Sequence, residues 1–269
     1  DWIRLGNVKV FLDGALGPRT ARMLAPYEGE PENTGLTVTD PEELYEQAAK
    51  AAAHGLAMTT HAIGDKANHD LLNVYARLRG EEAARSGRGE AAPRPALRHR
   101  CEHVQVLHPD DYLRLGQLKV IASMQPIHAT SDMRMADQYW GARAAGAYAW
   151  RTQLEAGAIL AFGSDAPVES LNPFLGLHAA VTRRRADGSP GPEGWYPAQR
   201  LTVEEALHAF TLGAAYAGYM EHRVGSLAPG KLADLIVIDR DIFAVEPMAL
   251  KDTAVLGTMV GGAWRYREF

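Results

Sequence analysis

The sequence predicts an α/β fold: a parallel sheet forming part of a βα barrel, followed by part of a small β subdomain. Three observations predict it. Short apolar runs alternate five times with segments of helical period, the pattern of strand-helix-strand units with right-handed crossovers. Four of those runs meet a hydrophilic residue near their C-terminal ends: Lys9 in VKVFLDG, His61 in AMTTHAIGD, His103 in LRHRCEHVQ and Asp165 in ILAFGSDAPV. That end of the strands is where a parallel barrel keeps its chemistry. From Val224 onward the alternation gives way to short strands and turns.

Taken in order, the first strand centres on Val8 to Leu12 and turns at Asp13-Gly14. The stretch from Pro18 to Thr37 is rich in Gly, Pro and Glu without a period and reads as a long loop on the functional side. Asp40-Pro41-Glu42-Glu43 is a helix start, with Leu44, Ala48, Ala51 and Ala52 on one face and His54-Gly55 as the stop. Leu56 to Ala62 is the second strand, and Gly64-Asp65 leads into a helix to about Leu78. Arg79 to Pro95 is charged, small and Pro-containing, and reads as an exposed connection.

In the third strand Leu97, His99, Cys101 and His103 fall at alternate positions and are expected on one face, with Arg98, Arg100 and Glu102 on the other. His108 to Asp111 starts a helix reaching about Leu115. Val120 to Met124 is the fourth strand, and an irregular stretch holding Met133, Tyr139 and Trp140 follows Gln125-Pro126-Ile127-His128. A helix through Tyr148 to Glu155 delivers the fifth strand, Ile159 to Gly163. Arg183 to Pro197 is a polar insertion. Thr202 to Glu205 is a capping box, with Leu207, Phe210, Thr211, Ala214 and Ala215 as the expected buried face. Leu235 to Asp239 reads as a strand, and Val255 to Val260 with Trp264 to Tyr266 as a hairpin. The domain expectation is a barrel portion over 1–222 and a β portion over 223–269.

Bulk properties narrow the function. At 269 residues, with 46% hydrophobic and 23% charged residues, the chain is an ordinary globular composition. A net charge of -5 gives no basic face for nucleic acid, and no apolar run reaches the roughly 20 residues a membrane span needs. The single cysteine, Cys101, rules out an intrachain disulfide framework and a cysteine-based zinc site. A Gly-x-Ser-x-Gly elbow is absent, which argues against a serine hydrolase.

Each polar strand end has an ordinary structural explanation alone; the set of Lys9, His61, His103 and Asp165 at one end of different strands points to a metal. Imidazole nitrogen and carboxylate oxygen suit Zn²⁺ and similar divalent ions. Coordination lowers the pKa of water to about 7, and a nearby carboxylate can move its proton to a leaving nitrogen or oxygen. A free lysine, with a pKa of about 10.4, repels a cation, so Lys9 joins such a site only when neutralised or carbamylated. Asp13, Arg19, His128 and Arg143 are weaker candidates, placed where a substrate would lie. Asp65 reads as a helix cap, Glu102 as an outer-face ion-pair member and His99 as a structural hydrogen-bonder.

The stretches VKVFLDGALGPRTA, HAIGDKA, RHRCEHVQ, GSDAPVESLNP, LTVEEALHAFT and VGSLAPGKLADLIVID, in this order, resemble the C-terminal part of the amidohydrolase superfamily, most closely the amidohydrolase-3 branch that includes N-substituted formamide deformylases. The resemblance implies a (β/α)8 TIM barrel, of which this chain carries strands four to eight, beside a small β-sandwich, with one or two divalent metals, Zn²⁺ being expected, at the barrel mouth. It matches Lys9 to a strand-four lysine that can be carbamylated, His61 and His103 to the strand-five and strand-six histidines, and Asp165 to the strand-eight aspartate, both ligand and proton shuttle. The activity implied is hydrolysis of carbon-nitrogen bonds of amide or formamide type; the compartment expected for the chain is the cytoplasm.

The chain departs from that pattern in having no His-x-His pair, which such enzymes carry at the end of strand one. The expectation is therefore a fragment of a longer enzyme, whose partners are a small-molecule substrate, the missing N-terminal part or a complementary chain, and a second copy as a homodimer. The alternative is a truncated, non-catalytic homologue acting as a binding or regulatory protein.

Overall fold

The computed structural model describes residues 6–87 and 97–269. Residues 1–5 and 88–96, the latter holding most of the Pro-containing part of the expected connection, lie outside the described residues. The chain divides into two compact units, Asp1–Met124 with Asp132–Ile159, and Gln125–Ser131 with Leu160–Phe269.

In the first unit the order is β1 (Val8–Phe11), α1 (Pro41–Ala53), β2 (Met58–Ala62), α2 (Asp65–Gly87), β3 (Arg100–His103), α3 (Arg114–Leu118) and β4 (Ile121–Met124), and α5 (Trp150–Glu155) precedes β5 (Leu160–Phe162). α4 (Pro126–Trp140) begins in the second unit and ends in the first. The larger sheet has five strands in chain order. The pairs β1-β2, β2-β3 and β3-β4 are parallel, and the Ala122 N–H donates to the Ile159 carbonyl at 2.9 Å, one residue before β5.

Register explains the burial. Val10, Thr60, Cys101 and Ala122 form one row, on one face of the sheet, and none is more than 7% exposed. α2 supplies Leu71, Leu72, Tyr75 and Leu78 to the core. The Tyr75 hydroxyl pairs with Thr60 Oγ1 at 2.9 Å and Cys101 Sγ donates to Asn68 Oδ1 at 3.1 Å, so α2 contacts this face. The thiol is structural: burial pushes it well above its ordinary value. Phe11, His61, Glu102 and Ser123 form a row on the opposite face.

α1 forms as its sequence indicates. Asp40 Oδ1 accepts from the Glu42 N–H at 2.9 Å, Pro41 opens the first turn, and Leu44, Ala48, Ala51 and Ala52 are buried.

Three expectations are corrected here. α2 runs to Gly87, not Leu78, because Arg79 is an anchor: its Nε donates to the Leu118 carbonyl at 3.0 Å and its Nη2 to the Leu97 carbonyl at 2.8 Å. The stretch after His128 is helical, since Ala129, Met133, Ala136 and Trp140 make a buried stripe at helical spacing, none above 3% exposed. Glu102 is not an outer-face residue. It shares a row with His61, ion-pairs Arg100 at 2.9 Å and accepts from the Ser123 hydroxyl at 2.6 Å.

In the second unit β5 is followed by α6 (Pro173–Thr182), α7 (Val203–His208), a turn of π-helix (Ala209–Gly213), α8 (Ala214–Ala217) and an antiparallel sheet of β6 (Leu235–Ile238), β7 (Val255–Val260) and β8 (Ala263–Arg267). The Thr202–Glu205 capping box is complete. β7 and β8 join through Gly261-Gly262, both at positive φ (59° and 79°), as a two-residue hairpin turn demands. Leu207, Phe210, Thr211 and Ala214 are half-buried instead of buried, and line an apolar groove with Leu235 and Met259.

The insertion after α6 is also less solvated than its polarity suggests. Arg183 is fully buried, its Nε donating to the Trp195 carbonyl at 2.7 Å with the guanidinium over the indole ring.

α6 carries a titration. Burial, reinforced by Lys251 and Arg184, holds the His178 imidazole down to about 4 from 6.5. The folded state favours the neutral ring, so this contribution, present above pH 6.5, is lost as pH falls through about 4, by up to about 3 kcal/mol. Urea midpoints of the wild type are expected to fall across that window more steeply than those of His178→Gln; equal slopes would exclude His178 as the source.

Candidate metal and active site

The first unit builds a candidate site where β1, β2 and β3 end. β2 carries His61, 8% exposed, beside Phe11, with ring centroids 4.9 Å apart. His61 Nε2 lies 2.8 Å from the Gly14 carbonyl and 3.4 Å from Asp13 Oδ1. A carbonyl only accepts, so Nε2 carries the proton and Nδ1 carries the lone pair of the neutral ring. The backbone around β1 thus sets the tautomer, as outer-shell partners of ligating histidines do.

Asp13, expected against substrate, is 1% exposed and lies behind His61. Its Oδ2 accepts from the Arg22 and Gly64 N–H groups at 2.9 and 2.8 Å, and Oδ1 from the Ile63 N–H at 3.1 Å. Burial lifts the carboxyl to about 7, and those backbone donors pull against the rise. Gly64 is required by this packing: a Cβ there would stand 1.9 Å from the Arg22 carbonyl oxygen. Asp65 begins α2 and accepts the Leu24 N–H at 2.7 Å, tying the long loop to the same corner. Asn68 fixes it further by donating to the Ala62, Ile63, Gly64 and Val106 carbonyls.

His103 reaches this site by leaving the strand pattern. Alternation places it with Cys101 on the α2-packed face. The backbone instead turns left-handed, φ 80° at His103 and 46° at Val104, and the imidazole comes edge-on to His61 with ring centroids 4.5 Å apart. Positive φ at a β-branched valine is costly and is found where function demands it. His99, with Cys101, keeps to the interior: it is fully buried, stacks on Tyr75 at 5.0 Å and accepts the Met58 N–H on Nδ1 at 3.0 Å. Lys9 is exposed, in register with Thr59 and therefore on the same face as His61, with Nζ 4.7 Å from the Phe11 ring centre.

Two expected substrate residues are occupied elsewhere. Arg143 donates from Nη1 to the Ala25 carbonyl at 2.7 Å and from Nη2 to the Pro26 carbonyl at 2.6 Å, pinning the long loop. Arg19 ion-pairs Glu30 and lies over the Tyr139 ring.

The second unit carries His128 and Asp165. His128, 6% exposed in the first turn of α4, and Asp165 each offer a ligand atom, and the two atoms lie within 4.8 Å of each other. Asp165 is exposed, follows β5 and has φ 57°, a left-handed position that aspartate tolerates. His128, expected near substrate, is thus placed as a metal-ligand candidate. The pairing with Asp165 had no signal in sequence, because 37 positions separate them.

Chemically, imidazole nitrogens and a carboxylate are the donors a first-row divalent cation takes. Among the described residues, no helix is long and apolar enough to cross a membrane.

The Amidohydrolase family model matches residues 1–266. The chain is 37% identical to Protein LONG AFTER FAR-RED 3 of Arabidopsis thaliana, over 99% of this chain and 44% of that protein. It is 32% identical to the putative amidohydrolase YtcJ of Bacillus subtilis, over 99% of this chain and 48% of the relative, and 25% identical to the N-substituted formamide deformylase of Arthrobacter pascens, over 99% and 46%. Among solved structures, a metal-dependent hydrolase from Pyrococcus horikoshii superposes with a TM-score of 0.75 at 32% identity, covering 90% of this chain and 46% of that one. The chain spans a little under half the length of these relatives. It belongs to the amidohydrolase family.

Proposed function

We propose that this chain is part of a metal-dependent hydrolase of carbon-nitrogen bonds, of amide or formamide type, whose complete barrel needs strands supplied from outside the residues given. The observation that carries the reading is the setting of His61: a buried imidazole whose Nε2 faces the Gly14 carbonyl at 2.8 Å beside Asp13, so that the backbone at the end of β1 fixes the orientation of the ring. Family membership gives the same direction.

In this reading Lys9 as its carbamate, His61, His103 and Asp165 are the ligands, with His128 added by its pairing with Asp165. A divalent ion held by these residues, Zn²⁺ by preference, would lower the pKa of a water to about 7 and so make it a nucleophile near neutral pH. The Asp165 carboxylate would accept a proton from the attacking water and pass it to the leaving nitrogen. Asp13 and the Gly14 carbonyl hold His61 in one tautomer throughout.

The test is metal analysis and turnover on one preparation, purified without chelator, alone and with the N-terminal part of the relatives supplied as a separate chain. About one or two equivalents of zinc, and hydrolysis of N-formyl amines that chelator abolishes, are expected. Less than roughly a tenth of an equivalent under both conditions, with no turnover, would favour the non-catalytic binding or regulatory protein that the absent His-x-His pair suggests.

A further inference from the structure

Within the second unit, His128 and Asp165 stand on separate segments, the first turn of α4 and the loop between β5 and α6, yet each offers a ligand atom and the two atoms lie within 4.8 Å of each other. Close packing between helices does not account for that spacing. A cavity of about 410 Å³ lies between the opening of α4 and α6, walled by Ile127 and Leu175 and headed by Arg184 and Arg185. A cavity supplies few contacts to grip a helix, so hydrogen bonds have to hold this end of α4.

Two sets of them reach it. Ser131, one helical turn after His128, donates its hydroxyl to Glu169 Oε1 at 2.5 Å. Glu169 belongs to the loop of Asp165: the Val168 N–H donates to the Asp165 carbonyl at 2.9 Å, closing a turn that Glu169 directly follows. From the far end of α6, Arg185 donates from Nε to the Thr130 carbonyl and from Nη2 to the Ser131 carbonyl, each at 2.9 Å. Arg185 is itself fixed, its N–H donating to the Ser189 carbonyl at 2.8 Å, and Arg184 beside it donates from Nε to the Gly188 carbonyl at 3.1 Å. Ser131 is thus held on its hydroxyl by the segment that carries Asp165 and on its carbonyl by the segment that follows α6.

Ser131 is exposed and Glu169 half-exposed, so their bond belongs to no core and adds little to global stability. Its effect is local. Asp165 has φ 57°, a conformation that persists where its surroundings hold it. Donors to one cation must be fixed to within about 0.5 Å, and an untied loop or an untied helix end moves further than that.

We propose that Ser131 and Glu169 are positioning residues, whose hydrogen bond sets the separation of His128 and Asp165 at which a divalent cation is taken. The inference rests on the metal-dependent reading above, and the experiment keeps the two apart. Co²⁺ is the probe, titrated into the full chain purified metal-free. Competition against a chromogenic chelator reads its affinity, and the visible absorption bands of the bound ion read its ligand geometry.

Ser131→Ala and Glu169→Ala are each expected to weaken Co²⁺ about tenfold, the lower end of what groups supporting a ligand contribute, and to shift its bands. The double variant is expected to match either single one, since all three lose the same bond. Glu169→Gln keeps an acceptor for the hydroxyl and is expected to recover most of the affinity. Thermal midpoints of the metal-free variants are expected to stay at the wild-type value.

Unchanged affinity in both single variants, losses that add in the double variant, or a Glu169→Gln as weak as Glu169→Ala would overturn the proposal. Weakening matched by a fallen thermal midpoint would overturn it in favour of a structural role. Hydrogen exchange of metal-free protein tests the tie without any metal: faster exchange across the first two turns of α4 is expected in Glu169→Ala, and equal exchange would overturn the tie. Wild-type protein that takes no Co²⁺ while showing that exchange difference would overturn the metal reading alone.

Discussion

Asp13→Asn is expected to lower metal affinity by at least about tenfold, the scale on which groups behind a ligating histidine act, and to lower stability as well. The wild-type carboxylate accepts three backbone N–H groups and faces the protonated nitrogen of His61. An amide with its oxygen toward Arg22 and Gly64 turns its NH₂ toward the Ile63 N–H and His61 Nε2, both donors. One buried hydrogen bond becomes a donor-donor opposition, at a cost of about 1–3 kcal/mol. Asp13→Ala leaves all three N–H groups without that acceptor and is expected to cost more, roughly 3 kcal/mol or beyond.

Competition against a chromogenic chelator reads the metal effect, and urea melts of metal-free protein read the fold effect. A variant that loses stability but keeps wild-type metal affinity would show that Asp13 serves the β1-β2 corner and not the orientation of His61.

Asp165→Asn is expected to reduce kcat of the complete, metal-loaded enzyme by about 10²- to 10⁴-fold, the contribution of a positioned proton-transfer group. Because the same side chain is proposed as a ligand, metal content must be measured on the same sample. Full turnover with normal metal content would sink the shuttle assignment. Loss of metal in proportion to activity would leave Asp165 as a ligand only.

How much of this was legible beforehand varies by element. Local signals worked where local physics decides the outcome. Asp40-Pro41 opens α1, the Thr202–Glu205 box opens α7, and Val255 to Tyr266 make the hairpin, with Gly261-Gly262 as its turn. The order and parallel pairing of the first strands followed from apolar runs separated by helices. Mixed sequences misled: α4 shows too few apolar residues for its stripe of Ala129, Met133, Ala136 and Trp140 to stand out, and α2 extends into a charged stretch because Arg79 finds carbonyl partners from residues distant in sequence.

The sequence by itself determined most of the elements, though not α4 or the end of α2, together with the family resemblance and the four polar strand ends, because each depends on residues close together along the chain. Tertiary structure decided how those side chains are set. Period-two alternation puts His103 beside Cys101, yet two left-handed residues bring it to His61. Asp13 resembles a turn residue until Ile63 and Gly64, fifty and more positions away, donate to its carboxylate. Two guanidiniums read as part of a solvated insertion until backbone carbonyls hold them over an apolar cavity. In the last two cases the partner is a backbone group and in the first a side chain, each brought near by folding, and no pattern of neighbouring letters encodes it.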